Sequence, residues 1–209
     1  MALLARIPPG RAGRLWLRSR LATAQRGRDQ LDRKMRILVP ELQRRRLEAD
    51  RCRREWTVVL EGAQTWLLRA ALLGGQDVVR HAVGPQVAEV QLTWTTTVGL
   101  SYPVDVQVVS PPDDALPLAG NAAIGPAVVA FRAALLAGVR TAAAEEAVRR
   151  VEAESAVTSR RLRALEKRWL PALADALTAL ELSLEQSEQE DSMRLRRTAV
   201  GPSDRRSAT

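Results

Sequence analysis

Apolar residues recur every three and four positions through the first third of the chain. Stepping alternately by four and three from Leu17 gives Leu21, Ala24, Arg28, Leu31, Met35, Leu38, Leu42, Arg45, Ala49, Cys52, Trp56, Val59, Ala63, Trp66, Ala70 and Leu73. Only Arg28 and Arg45 in that series are neither apolar nor small. A seam held for about eight heptads predicts a coiled-coil helix. An amphipathic helix of a compact bundle rarely runs so far without a cap. Gly74-Gly75 then predicts the stop. Pro40 falls farthest from the partner helix, where its ring faces out and bends the helix without breaking the seam.

A second stripe reads Val148, Val151, Ser155, Thr158, Leu162, Leu165, Trp169, then Leu173, Leu177, Leu180 and Leu184. It slips by one residue between Trp169 and Leu173, with Pro171 inside the slip, which predicts a local change of helix twist. Serine and threonine mid-way predict looser packing there. The segment between the helices is different, rich in glycine and proline. Residues 87–98 and 104–109 have strand character, and residues 99–103 are long enough for the loop between them. A lone hairpin is marginal in water, so it must lean on a helix or on a partner. Leu92, Trp94, Leu100 and Tyr102 are its candidate docking side chains.

These elements predict a mainly α protein, a long antiparallel two-helix coiled coil with a small central β-hairpin. Residues 1–13 form an extension, 14–75 the first helix, and 76–125 the middle segment with the hairpin at about 87–109. Residues 126–197 form the second helix and 198–209 a disordered tail. The expected shape is a rod with both termini at one end.

Composition supports helices over a sandwich. Of 209 residues, 46% are hydrophobic but only 3% are aromatic, and alanine and leucine dominate. One cysteine, Cys52, excludes an internal disulfide, and with one histidine, His81, excludes a His/Cys zinc site. Neither lysine follows a glycine, so there is no P-loop. No Gly-x-Gly-x-x-Gly or Gly-x-Ser-x-Gly motif occurs. The sequence therefore offers no catalytic residue, no metal ligands and no cofactor site. The longest apolar runs fall short of the roughly 20 residues of a membrane helix. The first 28 residues are arginine-rich and acid-free like a transit peptide, but Pro8, Pro9 and Gly10 break an early helix. They read as the start of the mature protein.

Charge is uneven. Residues 1–54 hold 16 Lys+Arg against 5 Asp+Glu, and the remainder 16 against 19, giving the net +8 of the chain. Arg18, Arg20, Arg26, Arg33, Arg36, Arg44, Arg46 and Arg51 occupy non-seam positions around the circumference. The second helix adds Arg160, Arg161, Arg163, Arg194, Arg196 and Arg197. A nucleic-acid binder gathers its cations on one stripe and offers aromatics for stacking. Here the charge surrounds the helix and Trp56 and Trp66 sit on the seam, so no nucleic acid is expected. A solvated helix face accounts equally well for any single arginine, while the wrapped charge as a whole suits a partner that encloses the helices, one that is acidic or rich in polar groups.

Several segments, in order along the chain, resemble the D subunit of the V-type ATPases and ATP synthases. Residues 14–27 (RLWLRSRLATAQRG) and Asp32-Arg33-Lys34 are similar to the family's basic opening. Residues 97–104 (TVGLSYPV) resemble its hairpin. Residues 161–166 followed by Leu170-Pro171 resemble its Asn-Ala-Leu-Glu…Ile-Pro element, with Arg163 where the family usually has Asn. Residues 188–197 resemble its acidic stretch followed by arginines.

The resemblance implies a non-catalytic central rotor shaft that couples ATP synthesis or hydrolysis to ion translocation. It implies the A, B and F subunits and an adaptor to the membrane ring as partners, and a cytoplasmic place at the membrane periphery. Arg14, Arg18, Arg20, Arg26, Arg194, Arg196 and Arg197 are then the candidate partner contacts. A free coiled-coil interaction protein is the alternative, binding nucleic acid or an acidic protein; it explains the heptads and the charge but not the hairpin.

Overall fold

A computed structural model of the chain describes residues 7–82, 87–111 and 121–199. The element order is α1 (Gly10–His81), β1 (Glu89–Thr97), β2 (Leu100–Val109), α2 (Ile124–Ala164), a π-helical turn (Leu165–Trp169) and α3 (Leu170–Ala199). The predicted class holds, a mainly α chain with paired antiparallel helices and one small hairpin. The predicted tail lies almost wholly outside the described residues.

Most of the buried residues of α1 fall on the seam. Leu17, Leu38, Ala63 and Ala70 are fully covered, and Ala49 and Cys52 nearly so. Leu73 and Trp169, also placed on the seams, are instead 67% and 41% exposed. Pro40 lies inside α1 with its ring in solvent, as its heptad position requires. The glycine pair does not end α1. Gly75 adopts φ 78°, ψ 172° and kinks it, and helix resumes to His81. A positive φ at that site suits glycine alone. Gly74 has a different constraint, since a methyl there would lie 2.7 Å from the Asn121 amide. That amide donates to the Ala70 carbonyl, and the Asn121 side-chain oxygen accepts from the Ala123 N–H. One side chain therefore ties the end of the first seam to the start of α2.

The chain divides into two compact units, Met1–Arg33 with Thr158–Thr209, and Lys34–Val157. In the first, Arg11 pairs with Glu188 and Arg18 with Glu181. In the second, Arg46 pairs with Glu152 and Arg53 with Glu145. Rising numbers on α1 meet falling numbers on its partner, so the helices run antiparallel within each unit. All four cations come from α1 and all four anions from the later helices.

The predicted slip is the π-turn. From Arg18 to Arg46, α1 advances 28 residues, while the partner advances 29 from Glu152 to Glu181. A π-turn absorbs one extra residue, and here the Leu170 N–H donates to the Leu165 carbonyl five residues back. Pro171, which has no N–H to give, follows at once.

One expectation from hydropathy needs correction. Ile124–Thr198 holds an 18-residue window of mean hydropathy 1.5, long and apolar enough by composition to cross a membrane. Valine and leucine contribute more to that value than the alanines do, and 22% of the window is buried.

Candidate functional site

The hairpin is a two-stranded antiparallel ribbon whose ladder runs from Glu89↔Val109 to Thr97↔Leu100. Its turn is Val98-Gly99, both with positive φ (52° and 79°), which is the mirror-image turn favoured between twisted strands. The five-residue loop expected at residues 99–103 is therefore replaced by a two-residue turn, and residues 100–103 belong to β2. Gly99 supplies the left-handed position readily, whereas a β-branched valine beside it is strained. The register shifts between Thr93 and Trp94, so Val104 has no partner. Across this bulge Tyr102 pairs with Thr95 and Val106 with Leu92, and both are buried while Val104 stays 42% exposed.

The two strands are unequal. Every described residue of β1 is exposed or half-buried, whereas β2 carries the buried Tyr102, Pro103 and Val106. Tyr102 is 1% exposed and packs with Leu38, Ala147 and Val151, flanked by Leu42 and Leu100. Its hydroxyl donates to Glu41 across 2.8 Å and lies 2.9 Å from the Thr97 hydroxyl. Glu41 also accepts from the Arg45 guanidinium at 2.8 Å and faces Arg44 at 3.3 Å. The Arg45 guanidinium lies 5.1 Å from the centre of the Tyr102 ring. Burial pushes the Glu41 carboxyl up, but hydrogen bonds from Arg45 and Tyr102 and the charges of Arg45 and Arg44 outweigh it. The net position is below the usual carboxylate range.

Arg150 of α2 reaches the hairpin a second time. It donates to the Ser101 carbonyl at 3.3 Å and stands 4.9 Å over the Trp94 ring, while Glu146 holds it at 2.7 Å. Arg132 donates to the Pro111 carbonyl just past β2. The insert is thus part of the core of its unit.

The four candidate docking side chains separate accordingly. Tyr102 is consumed by the core and Leu100 packs beside it. Leu92 and Trp94 remain open, 43% and 46% exposed. Sequence reasoning missed Glu41, which lies off the seam. Its only signal was the Glu41–Arg45 spacing, which looks like a surface pair.

The candidate arginines also divide. Arg18 is paired with Glu181 at 2.6 Å. Arg20 stacks on Trp16 at 5.1 Å, and Arg26 donates to the Thr23 hydroxyl at 3.4 Å. Arg14 is half-buried, and its Nε is shielded from solvent without a partner. Arg194, Arg196 and Arg197 are exposed near the end of α3. Cys52 faces Glu48, and burial first, then that carboxylate, pushes its thiol up, away from the reactive thiolate form. No group of three or more His, Cys, Asp or Glu among the described residues could hold a metal.

Paired antiparallel helices with a hairpin locked onto them make a mainly α-helical protein whose polar clusters fix elements in place. The chain matches the family model of the ATP synthase D subunit over residues 15–199, and it belongs to that family. It is 30% identical over 196 residues to the V-type ATP synthase D subunit of Thermotoga neapolitana, covering 91% of this chain and 96% of that one. The corresponding protein of Thermus thermophilus is 31% identical over 202 residues, covering 93% and 88%. That of an Anaeromyxobacter species is 29% identical over 201 residues, covering 93% of each. The chain is therefore one subunit of a V-type ATP synthase complex, and other subunits of that complex are its partners.

Proposed function

We propose that the chain is the central shaft of the rotary complex, a non-catalytic component turning inside a ring of A and B subunits. It transmits torque between nucleotide turnover in that ring and ion movement through the membrane sector. The F subunit and an adaptor on the membrane side are its other neighbours, and it works in the soluble sector at the membrane periphery. The observation that carries this reading is the interhelix ion pairing. Arg11–Glu188 and Arg18–Glu181 in one unit, and Arg46–Glu152 and Arg53–Glu145 in the other, oppose sliding of one helix along its neighbour. Each exposed pair is worth at most about 1 kcal/mol, so the pairs set register more than they set stability. A torsion-bearing element needs that division of labour.

The hairpin supplies a second, off-axis attachment. With Tyr102 anchored, Leu92 and Trp94 are presented outward for a stalk neighbour such as the F subunit. The test is reconstitution with A and B subunits, with a bead fixed to a cysteine placed at Thr96 on the exposed face of β1. ATP-driven rotation of the bead is expected. Full ATP-driven ion transport by a complex lacking this chain would overturn the reading, as would ATP hydrolysis by the isolated chain.

A further inference from the structure

The unit formed by Met1–Arg33 and Thr158–Thr209 carries an open groove of about 200 Å³, lined chiefly by Trp16, Arg20, Leu165, Trp169 and Leu173. The π-turn makes it, because Leu165 and Trp169 are the first and last residues of that turn. Trp169 is left 41% exposed, an uncommon place for so large an apolar surface unless something covers it. The floor is apolar and the rim is cationic. Residues 14–32 and 160–175 hold ten arginines and lysines against four acids, Asp29, Asp32, Glu166 and Asp175, and of the ten Arg28 is paired with Asp29 and Arg18 with Glu181. Glu166 lies within the field of Arg28. Lys167 and Arg168, on the turn itself, are exposed and have no carboxylate within ion-pair reach among the described residues.

We propose that this groove is a docking notch for an acidic segment of the surrounding ring, one that inserts an apolar or aromatic side chain between Trp16 and Trp169. The inference rests on the shaft reading and adds to it where the shaft is gripped. Charge complementarity selects the occupant. A basic rim repels cationic segments and attracts acidic ones, and the aromatic floor gives the inserted side chain its affinity. A single-stranded nucleic acid meets the same two features, but it needs a row of stacking platforms along a basic stripe. Here one pair of tryptophans flanks one short notch.

The test measures binding of the full chain to the A and B ring at low and high salt. Lys167→Glu/Arg168→Glu changes only exposed side chains and leaves the groove floor intact. It should weaken ring binding at least about tenfold at low salt and flatten the salt dependence. Trp169→Ala should weaken binding about tenfold at both salt concentrations. The melting temperature of the charge-reversal variant should match that of the wild type. Unchanged ring affinity in both variants, with wild type bound, would overturn the notch and leave the shaft intact. A wild-type chain that does not bind the ring would overturn the shaft reading itself. Tight binding of an oligothymidine, lost in Trp169→Ala, would overturn the notch in favour of nucleic acid.

Discussion

The Tyr102 hydroxyl donates to the Glu41 carboxylate across 2.8 Å, joining residues 61 positions apart in the sequence. Both are nearly inaccessible, at 1% and 5% exposure, so the bond is made where water cannot replace it. Tyr102→Phe keeps the ring and removes the donor. It should cost about 1–3 kcal/mol in urea unfolding, because Glu41 then stays buried with one partner fewer. Tyr102→Ala should cost about 3–5 kcal/mol by also leaving a cavity beside Leu38 and Val151. Leu92→Ala, on the open side of the hairpin, should fall within about 0.5 kcal/mol. Equal effects at Tyr102 and Leu92 would show that the hairpin is not anchored this way.

Arg44 and Arg45 both face Glu41, but their surroundings differ. The Arg45 side chain is 25% exposed and hydrogen-bonded, while that of Arg44 is 72% exposed. Arg45→Ala should therefore cost about 1.5–3 kcal/mol, and Arg44→Ala no more than about 1 kcal/mol. The pH dependence follows from Glu41. Its folded pKa lies below the ordinary value of 4.5. Its contribution is complete above that ordinary value and is lost as pH falls through the lower folded one. The stability gap between wild type and Glu41→Gln should thus be level near neutral pH and shrink only below about pH 4.5. A gap that grew on acidification would contradict the assignment.

Val98 sits at the hairpin turn with φ 52° and is 38% exposed. A β-branched side chain in the left-handed region is strained, and asparagine tolerates that conformation. Val98→Asn creates the Asn-Gly pair favoured in such turns. It should raise stability by about 0.5–1 kcal/mol, read as a higher melting temperature with unchanged helix content. A loss of stability would mean that the valine side chain makes a contact outweighing its strain.

The helices were legible because their signal is local. Leu17, Leu38, Ala49, Cys52, Ala63 and Ala70 fell on a seam counted by threes and fours, and all six are buried. The slip before Leu173 was legible for the same reason, since one inserted residue shifts everything after it. Glu41 was not legible. An acid next to that seam reads as a solvated surface residue until Tyr102, from a strand far along the chain, covers it. The turn was misjudged because Val98 contradicts turn propensity. Its place is set by the ladder and by the anchoring of Tyr102, which outweigh one strained residue. Trp169 and Leu73 obeyed the period but not the burial, because the π-turn displaces one and the kink at Gly75 follows closely on the other.

The π-turn gives the sharpest test of register. If the later helices carry one residue more than α1 between the pairs Arg46–Glu152 and Arg18–Glu181, the turn is a consequence of counting and not of Pro171. Pro171→Ala alone should then keep the π-turn, since the extra residue remains to be accommodated. Deleting Glu166 together with Pro171→Ala should remove it and restore a continuous α-helix in which Arg18 still meets Glu181. The deletion variant should melt no lower than Pro171→Ala, and protection of the residue 165–173 amides in hydrogen exchange should rise. A deletion that costs several kcal/mol, or that breaks the Arg18–Glu181 coupling in a double-mutant cycle, would show that the helices are not matched residue for residue outside the turn. The same variant bears on the groove, because a regular helix at 165–169 would reposition Trp169 against Trp16. A stable, well-paired variant with weakened ring binding would separate the cost of the π-turn to folding from its use in docking.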